Sequence, residues 1–177
     1  MDRTDEGSRR GTLLRLLAVL AAVPALGAAP AHAGPPPAGV LVPGQRLGGL
    51  ELGATKARVE RTWGRAYGVC PRCERQTWYF NLFAFQPRGA AVEFRRERVV
   101  AIFTVYQPLG WRTRDGLGLG DPAGSVSTRH PGVRRTDCPG GYYALVLQGG
   151  TTTTAFYVLG ERVWAFGLQR PDVPVCR

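Results

Sequence analysis

Cys70-Pro71-Arg72-Cys73 is the sharpest chemical motif in the chain. Two thiols at this spacing can run thiol–disulfide exchange when a helix N-terminus at the first cysteine lowers its pKa. Here Glu74 and a strand-like stretch follow, with no thioredoxin-like βαβ context, so a structural disulfide is favoured over a redox centre. The other two cysteines are Cys138 and Cys176. Four cysteines allow three pairings, and the favoured one closes Cys70–Cys73 and Cys138–Cys176, the second staple fastening the last residues to the second half of the chain. A zinc site is disfavoured because Cys138 and Cys176 lack ligand spacing.

Other chemistries find less support. His130 is the only histidine after residue 33, beside a helix stop where a packing or capping role is expected. Ser125 and Ser127 are the only serines in that part, both on an expected helix, which leaves no Ser-His-acid triad. Asp115, Asp121 and Asp137 are available for paired-carboxylate chemistry, but nothing brings two of them to one cleft. Gly116 to Gly120 is glycine-rich without a phosphate-loop lysine. No catalytic constellation, cofactor site or metal site is expected. Aromatics are the remaining candidates: Tyr79, Phe83, Phe85, Tyr106, Tyr142 and Tyr157 can share an open sheet face, where aromatics with arginines make binding hot spots.

The N-terminus bears on where such chemistry would operate. Arg9, Arg10 and Arg15 precede an apolar run from Leu16 to Leu26, and Ala31-His32-Ala33 presents small residues at a peptidase site. This predicts an export signal over 1–33, cleaved near Ala33, by the general secretory or the twin-arginine route. The apolar run falls short of the roughly 20 residues that a membrane span needs, and no span is expected in the mature chain. The full chain of 177 residues carries a net charge of +10, and removing 1–33, with four arginines and three acids, leaves 144 residues at +9. Such basicity suits an anionic wall polymer or an acidic protein face. Arginine supplies nearly all of it, the mark of a GC-rich coding bias, which weakens it as a functional signal.

The remainder reads as a duplication. Leu50-Glu51-Leu52-Gly53, then Val59 and Trp63-Gly64, is matched by Leu117-Gly118-Leu119-Gly120, then Val126 and His130-Pro131-Gly132. Cys70 and Cys138 follow in turn, and Glu97 to Phe103 parallels Glu161 to Gly167. A short helix opens each unit, capped by Thr55 in the first and Asp121 in the second. Strands follow over 76–86, 90–95 and 98–106, and again over 142–148, 153–158 and 162–168. The organisation expected is a Pro/Gly-rich lead-in over 34–46, repeat 1 over 47–106, a linker over 107–115 and repeat 2 over 116–177. The fold class expected is α+β: two tandem helix-plus-antiparallel-sheet repeats, with helices on one face of the sheet and the other face open.

These tandem units and their paired cysteines resemble the duplicated repeats of the secreted β-lactamase inhibitory protein-like family. Each single unit is similar to small outer-membrane assembly lipoprotein-like domains. The resemblance implies a concave sheet surface that binds a protein, and it carries over no inhibitory contact residue. The functional expectation is a secreted, non-catalytic protein-binding module that uses the open sheet face on an extracytoplasmic protein. A cell-wall polyanion-binding protein is the alternative, followed by a thiol redox enzyme using Cys70 and Cys73.

Overall fold

The computed structural model describes residues 38–83 and 86–177. The expected export signal, the start of the lead-in and Phe85 lie outside the described residues, and only the backbone of Phe83 is described. In chain order the elements are β1 (Val40–Val42), β2 (Arg46–Leu47), β3 (Leu50–Glu51), α1 (Lys56–Trp63), β4 (Gly68–Val69), β5 (Gln76–Phe83), β6 (Gln86–Arg95) and β7 (Arg98–Val105). They continue with β8 (Arg112–Thr113), α2 (Ala123–Arg129), β9 (Arg134–Cys138), β10 (Tyr142–Gln148), β11 (Thr153–Leu159) and β12 (Arg162–Gln169).

The protein is mostly β, which overturns the expected α+β class of helix-on-sheet repeats. One sheet of eight strands has the order β4-β5-β6-β7-β12-β11-β10-β9, and a second of four has the order β3-β2-β1-β8. The physical reason is area. Helices of eight and seven residues make about two turns each and cannot cover an eight-stranded face. The small sheet covers the rest, and it joins the segment read as lead-in and the start of repeat 1 to the segment read as linker: Leu41 of β1 pairs in parallel with Thr113 of β8. The central seam joins β7 to β12, antiparallel, through Gly167↔Phe103 and Leu168↔Ile102.

Local rules explain most elements. In α1, Val59 and Trp63 are four apart and share the buried face. Thr55 Oγ1 accepts a hydrogen bond from Arg58 N at the start of α1, and Gly64, at φ +86°, ends it. In α2 the expected Asp121 cap is not made. Pro122 takes the cap position, and the Asp121 carboxylate instead accepts from Gly118 N at 2.8 Å, closing the glycine-rich loop. Both central hairpins turn on two residues with positive φ, Arg96-Glu97 and Gly160-Glu161, the geometry whose twist matches paired strands. The first does so without glycine, at a cost of about 1–2 kcal/mol per residue.

The main core lies between the first face of the large sheet and the layer of helices and small sheet. Phe80, Ile102, Phe156, Phe166 and Leu168 meet Leu41, Leu47, Val59 and Trp63 there. The second face of the large sheet is not open, as the sequence reading held. The closing segment 170–177 runs across it as a strap. Val173 packs with Val100 and Ala101, the Tyr157 hydroxyl donates to Val175 O at 2.7 Å, and the Cys138–Cys176 disulfide pins the strap to β9.

Candidate functional site

Among the described residues the second face has a concavity beside the strap, of about 210 Å³. Strand alternation supplies the walls. Tyr79 on β5 points away from its neighbours Trp78 and Phe80, which enter the main core. Tyr157 on β11 and Phe103 and Val105 on β7 reach the same side. Small residues set the depth. Gly167 leaves room that a Cβ would close, since that atom would stand 3.0 Å from the Tyr157 ring and hydroxyl.

Two irregularities complete the pocket. On β12, Val163 pairs with Val158 and Ala165 with Tyr157, so Trp164 is the extra residue of a β-bulge. Bulges re-aim a side chain that strict alternation would send elsewhere, and Trp164 joins Tyr142 and Tyr157 on the second face. Tyr106 and Gln107 then end β7 with φ of +51° and +48°, a left-handed conformation that costs a non-glycine residue about 1–2 kcal/mol. Gln107 N donates to Trp164 O at 3.1 Å, holding this bend beside the bulge. The Tyr106 ring, 58% exposed, stands 5.8 Å from the Trp164 ring, and Tyr142 meets Trp164 edge-on at 5.7 Å.

Arg177 forms the polar wall. Its guanidinium lies 4.2 Å from the centre of the Phe103 ring and donates to Glu93, to Gln169 Oε1 at 3.1 Å and to the Tyr157 hydroxyl at 3.3 Å. Glu93 also accepts from Arg75 Nε at 2.9 Å, so one carboxylate, 10% exposed, holds two guanidiniums. The Glu93 hydrogen bond raises the pKa of Arg75. Burial raises the Tyr157 phenol, and burial followed by the Glu93 charge raises Tyr79. These phenols therefore stay neutral at ordinary pH. The Trp164 indole N–H is buried without a hydrogen-bond partner, a state that costs about 1–3 kcal/mol. The pocket thus offers aromatic walls and hydrogen-bond donors, with no nucleophile set against a base.

The sequence-derived candidates divide. Tyr79, Tyr106, Tyr142 and Tyr157 line this one pocket. Tyr157, 2% exposed, is wall and strap anchor rather than open surface. Phe83 ends β5 at its turn into β6, pairing with Gln86. Phe103, Trp164 and Arg177 were missed. Trp164 sits in Val163-Trp164-Ala165-Phe166, an unbroken apolar run in which no alternation marks a bulge, and nothing in the sequence places Arg177 beside Glu93. His130 packs on the opposite side of the sheet, its ring 5.0 Å from Phe156 and its Nε2 3.5 Å from the Asp115 carboxylate. Cys70 and Cys73 are joined in the turn from β4 to β5, not at a helix start.

The sequence matches no protein-family model and no curated protein. Two solved structures share the fold. An extracellular protein containing a SCP domain from Bacillus anthracis str. Ames aligns at TM-score 0.51 and 9% identity, over 68% of this chain and 44% of that one. The chain therefore spans less than half the length of that protein. A DUF4309 family protein from Bacillus subtilis aligns at TM-score 0.51 and 16% identity, over 71% of this chain and 85% of that one. Neither carries the name of the inhibitor family that the sequence units resemble. At these identities the likeness is one of fold.

Proposed function

We propose that the chain is an exported, non-catalytic protein that binds another protein through the second face of the large sheet, centred on the pocket of Tyr79, Tyr106, Tyr142 and Trp164. The observation that carries this reading is the pocket itself. Two backbone irregularities, each with a local cost, bring Tyr106 and Trp164 to the same mouth, and costs of this kind persist where function needs the geometry. Aromatic anchors with an arginine beside them are the usual composition of interface hot spots. Export, with cleavage near Ala33, is supported by the signal-like N-terminus and by two disulfides that suit an oxidising compartment. Among the described residues no helix is long and apolar enough to cross a membrane.

The test is affinity capture from the producing organism's envelope and culture fluid, with the exported protein and its Tyr106→Ala variant as baits. A protein retained by the first and lost from the second, at both low and moderate salt, supports the proposal. Retention of anionic polymer that falls steeply between about 50 and 200 mM salt, equally for both baits, would favour polyanion binding instead.

A further inference from the structure

We infer that two copies of the exported chain pair edge to edge through β9, antiparallel and centred on Thr136, so that Arg135 of each copy faces Asp137 of the other. This surface is separate from the second-face pocket, and the inference stands without it.

The edge is open. β9 ends the large sheet and, among the described residues, pairs only with β10. Arg134 to Asp137 are exposed, and an edge strand presents backbone donors and acceptors that can take another strand. The opposite edge strand, β4, is only two residues long, and very short edges are poor templates.

Charge selects the occupant. Arg135 and Asp137 stand opposite Leu145 and Tyr143, on the first face of the sheet. The Arg135 guanidinium lies 3.8 Å from the centre of the Tyr143 ring and donates from Nε to Asp137 Oδ1 at 2.7 Å. That bond holds a positive and a negative group side by side along the edge. Among the described residues it engages neither the Arg135 Nη donors nor Asp137 Oδ2, so each group keeps capacity for a second partner.

Charge also selects the register. Antiparallel strands related by a two-fold axis set one residue opposite its own copy. With Thr136 on the axis all five residues of β9 pair, and Arg135 meets Asp137 twice. With Arg135 on the axis two guanidiniums meet, and with Asp137 there two carboxylates meet. Opposite charges directly across strands attract and like charges repel. The charges that usually blunt an edge therefore favour one occupant in one register, a second copy of the same strand. The axis is perpendicular to the sheet, so both second-face pockets open on the same side of the pair.

The edge is small and two chains at +9 repel at long range, so the dimer is expected to be weak, with Kd on the order of 10–100 µM. The experiment is sedimentation velocity of the exported protein from about 5 to 500 µM in about 150 mM salt, where a Debye length of about 8 Å screens that repulsion. The parent should pass from monomer to dimer over this range. Arg135→Asp and Asp137→Arg should each weaken dimerisation at least about tenfold. An equimolar mixture of the two variants should restore it, because opposite charges face each other again in the mixed pair. Near-ultraviolet circular dichroism checks that both fold. A second measurement leaves the charges alone. Thr136→Cys sets two thiols across the axis, where opposed Cα atoms stand about 4.5–5.5 Å apart, within disulfide reach. Mild oxidation should link this variant into a covalent dimer and leave Thr128→Cys, exposed on α2, monomeric. If a charge variant fails to fold, this linkage decides. A parent that stays monomeric throughout overturns the inference. So do charge variants that dimerise as the parent does, a mixture that stays monomeric, or a Thr136→Cys variant that links no faster than Thr128→Cys.

Discussion

Opening the Cys138–Cys176 bridge is expected to cost the protein about twice as much stability as opening Cys70–Cys73. The larger bridge joins residues 38 apart and the smaller one residues three apart. In the chain-entropy description, closing these loops of 39 and 4 residues restricts the unfolded state by about 4 and about 2 kcal/mol respectively. At this chain length each kcal/mol moves Tm by about 2–4 °C. The pair Cys138→Ser/Cys176→Ser should therefore lower Tm by about 8–16 °C, and Cys70→Ser/Cys73→Ser by about half that. Serine pairs are used so that no lone thiol remains to exchange. The assay is differential scanning calorimetry without reductant, with urea denaturation alongside. The m-value should rise more for the first pair, because its unfolded chain expands further. The strap is also held by the Tyr157–Val175 and Tyr142–Arg177 hydrogen bonds, so the folded variant should keep the second face closed and the loss should fall on the unfolded side. Equal or reversed Tm shifts for the two pairs would refute the reasoning.

Three further outcomes are expected. Glu93→Gln removes the buried carboxylate that Arg75 and Arg177 share, leaving Arg75 only the exposed Glu74, and should cost about 3 kcal/mol in urea denaturation; a loss below about 1 kcal/mol would mean that water already screens the pair. Gly167→Ala drives a methyl group against the Tyr157 ring and should cost about 1–3 kcal/mol, read from the same curves; an unchanged midpoint would show that the ring yields freely. The Asp115 carboxyl is pushed up by burial, but the Thr113 hydroxyl, a backbone donor and the charges of His130 and Arg129 outweigh that, so its pKa lies below its ordinary 3.8. A lowered carboxylate pKa adds stability that is present above the unfolded value and lost as pH falls through the folded one. Asp115→Asn should therefore flatten the acid side of the stability curve below about pH 4, and an unchanged acid limb would contradict the assignment.

The strands were the most legible part of the fold. Gln76 to Phe83 and Tyr142 to Gln148 carry aromatic and branched residues bounded by turn signals, and the structure has strands there. The fold class was lost over short pieces. β1, β2, β3 and β8 are two or three residues each, too short to leave a period; β1, β2 and β3 pair through short turns, and β8 joins them only by pairing with β1 far away in sequence. Without them the two helices had to be given the whole task of covering the sheet, and an α+β arrangement followed. The same blindness to long-range pairing hid the strap, because Val173 and Arg177 take their places against residues distant in sequence, Val173 on Val100 and Arg177 on Glu93.

The pocket shows where a residue pattern stops carrying information about a site. Alternation sorted Tyr79 from Trp78 correctly, because β5 is regular at that point. Counting back by two from Phe166 would put Trp164 on the core face, since such a count assumes no extra residue. The bulge between Val158 and Tyr157 breaks that count, and it turns the indole towards Tyr106, whose own left-handed backbone no propensity favours. Both features run against local preference and are held in place only by their neighbours, through Gln107 N on Trp164 O. A site assembled from such departures escapes a sequence rule for the same reason that it is specific: its geometry depends on pairings between distant strands.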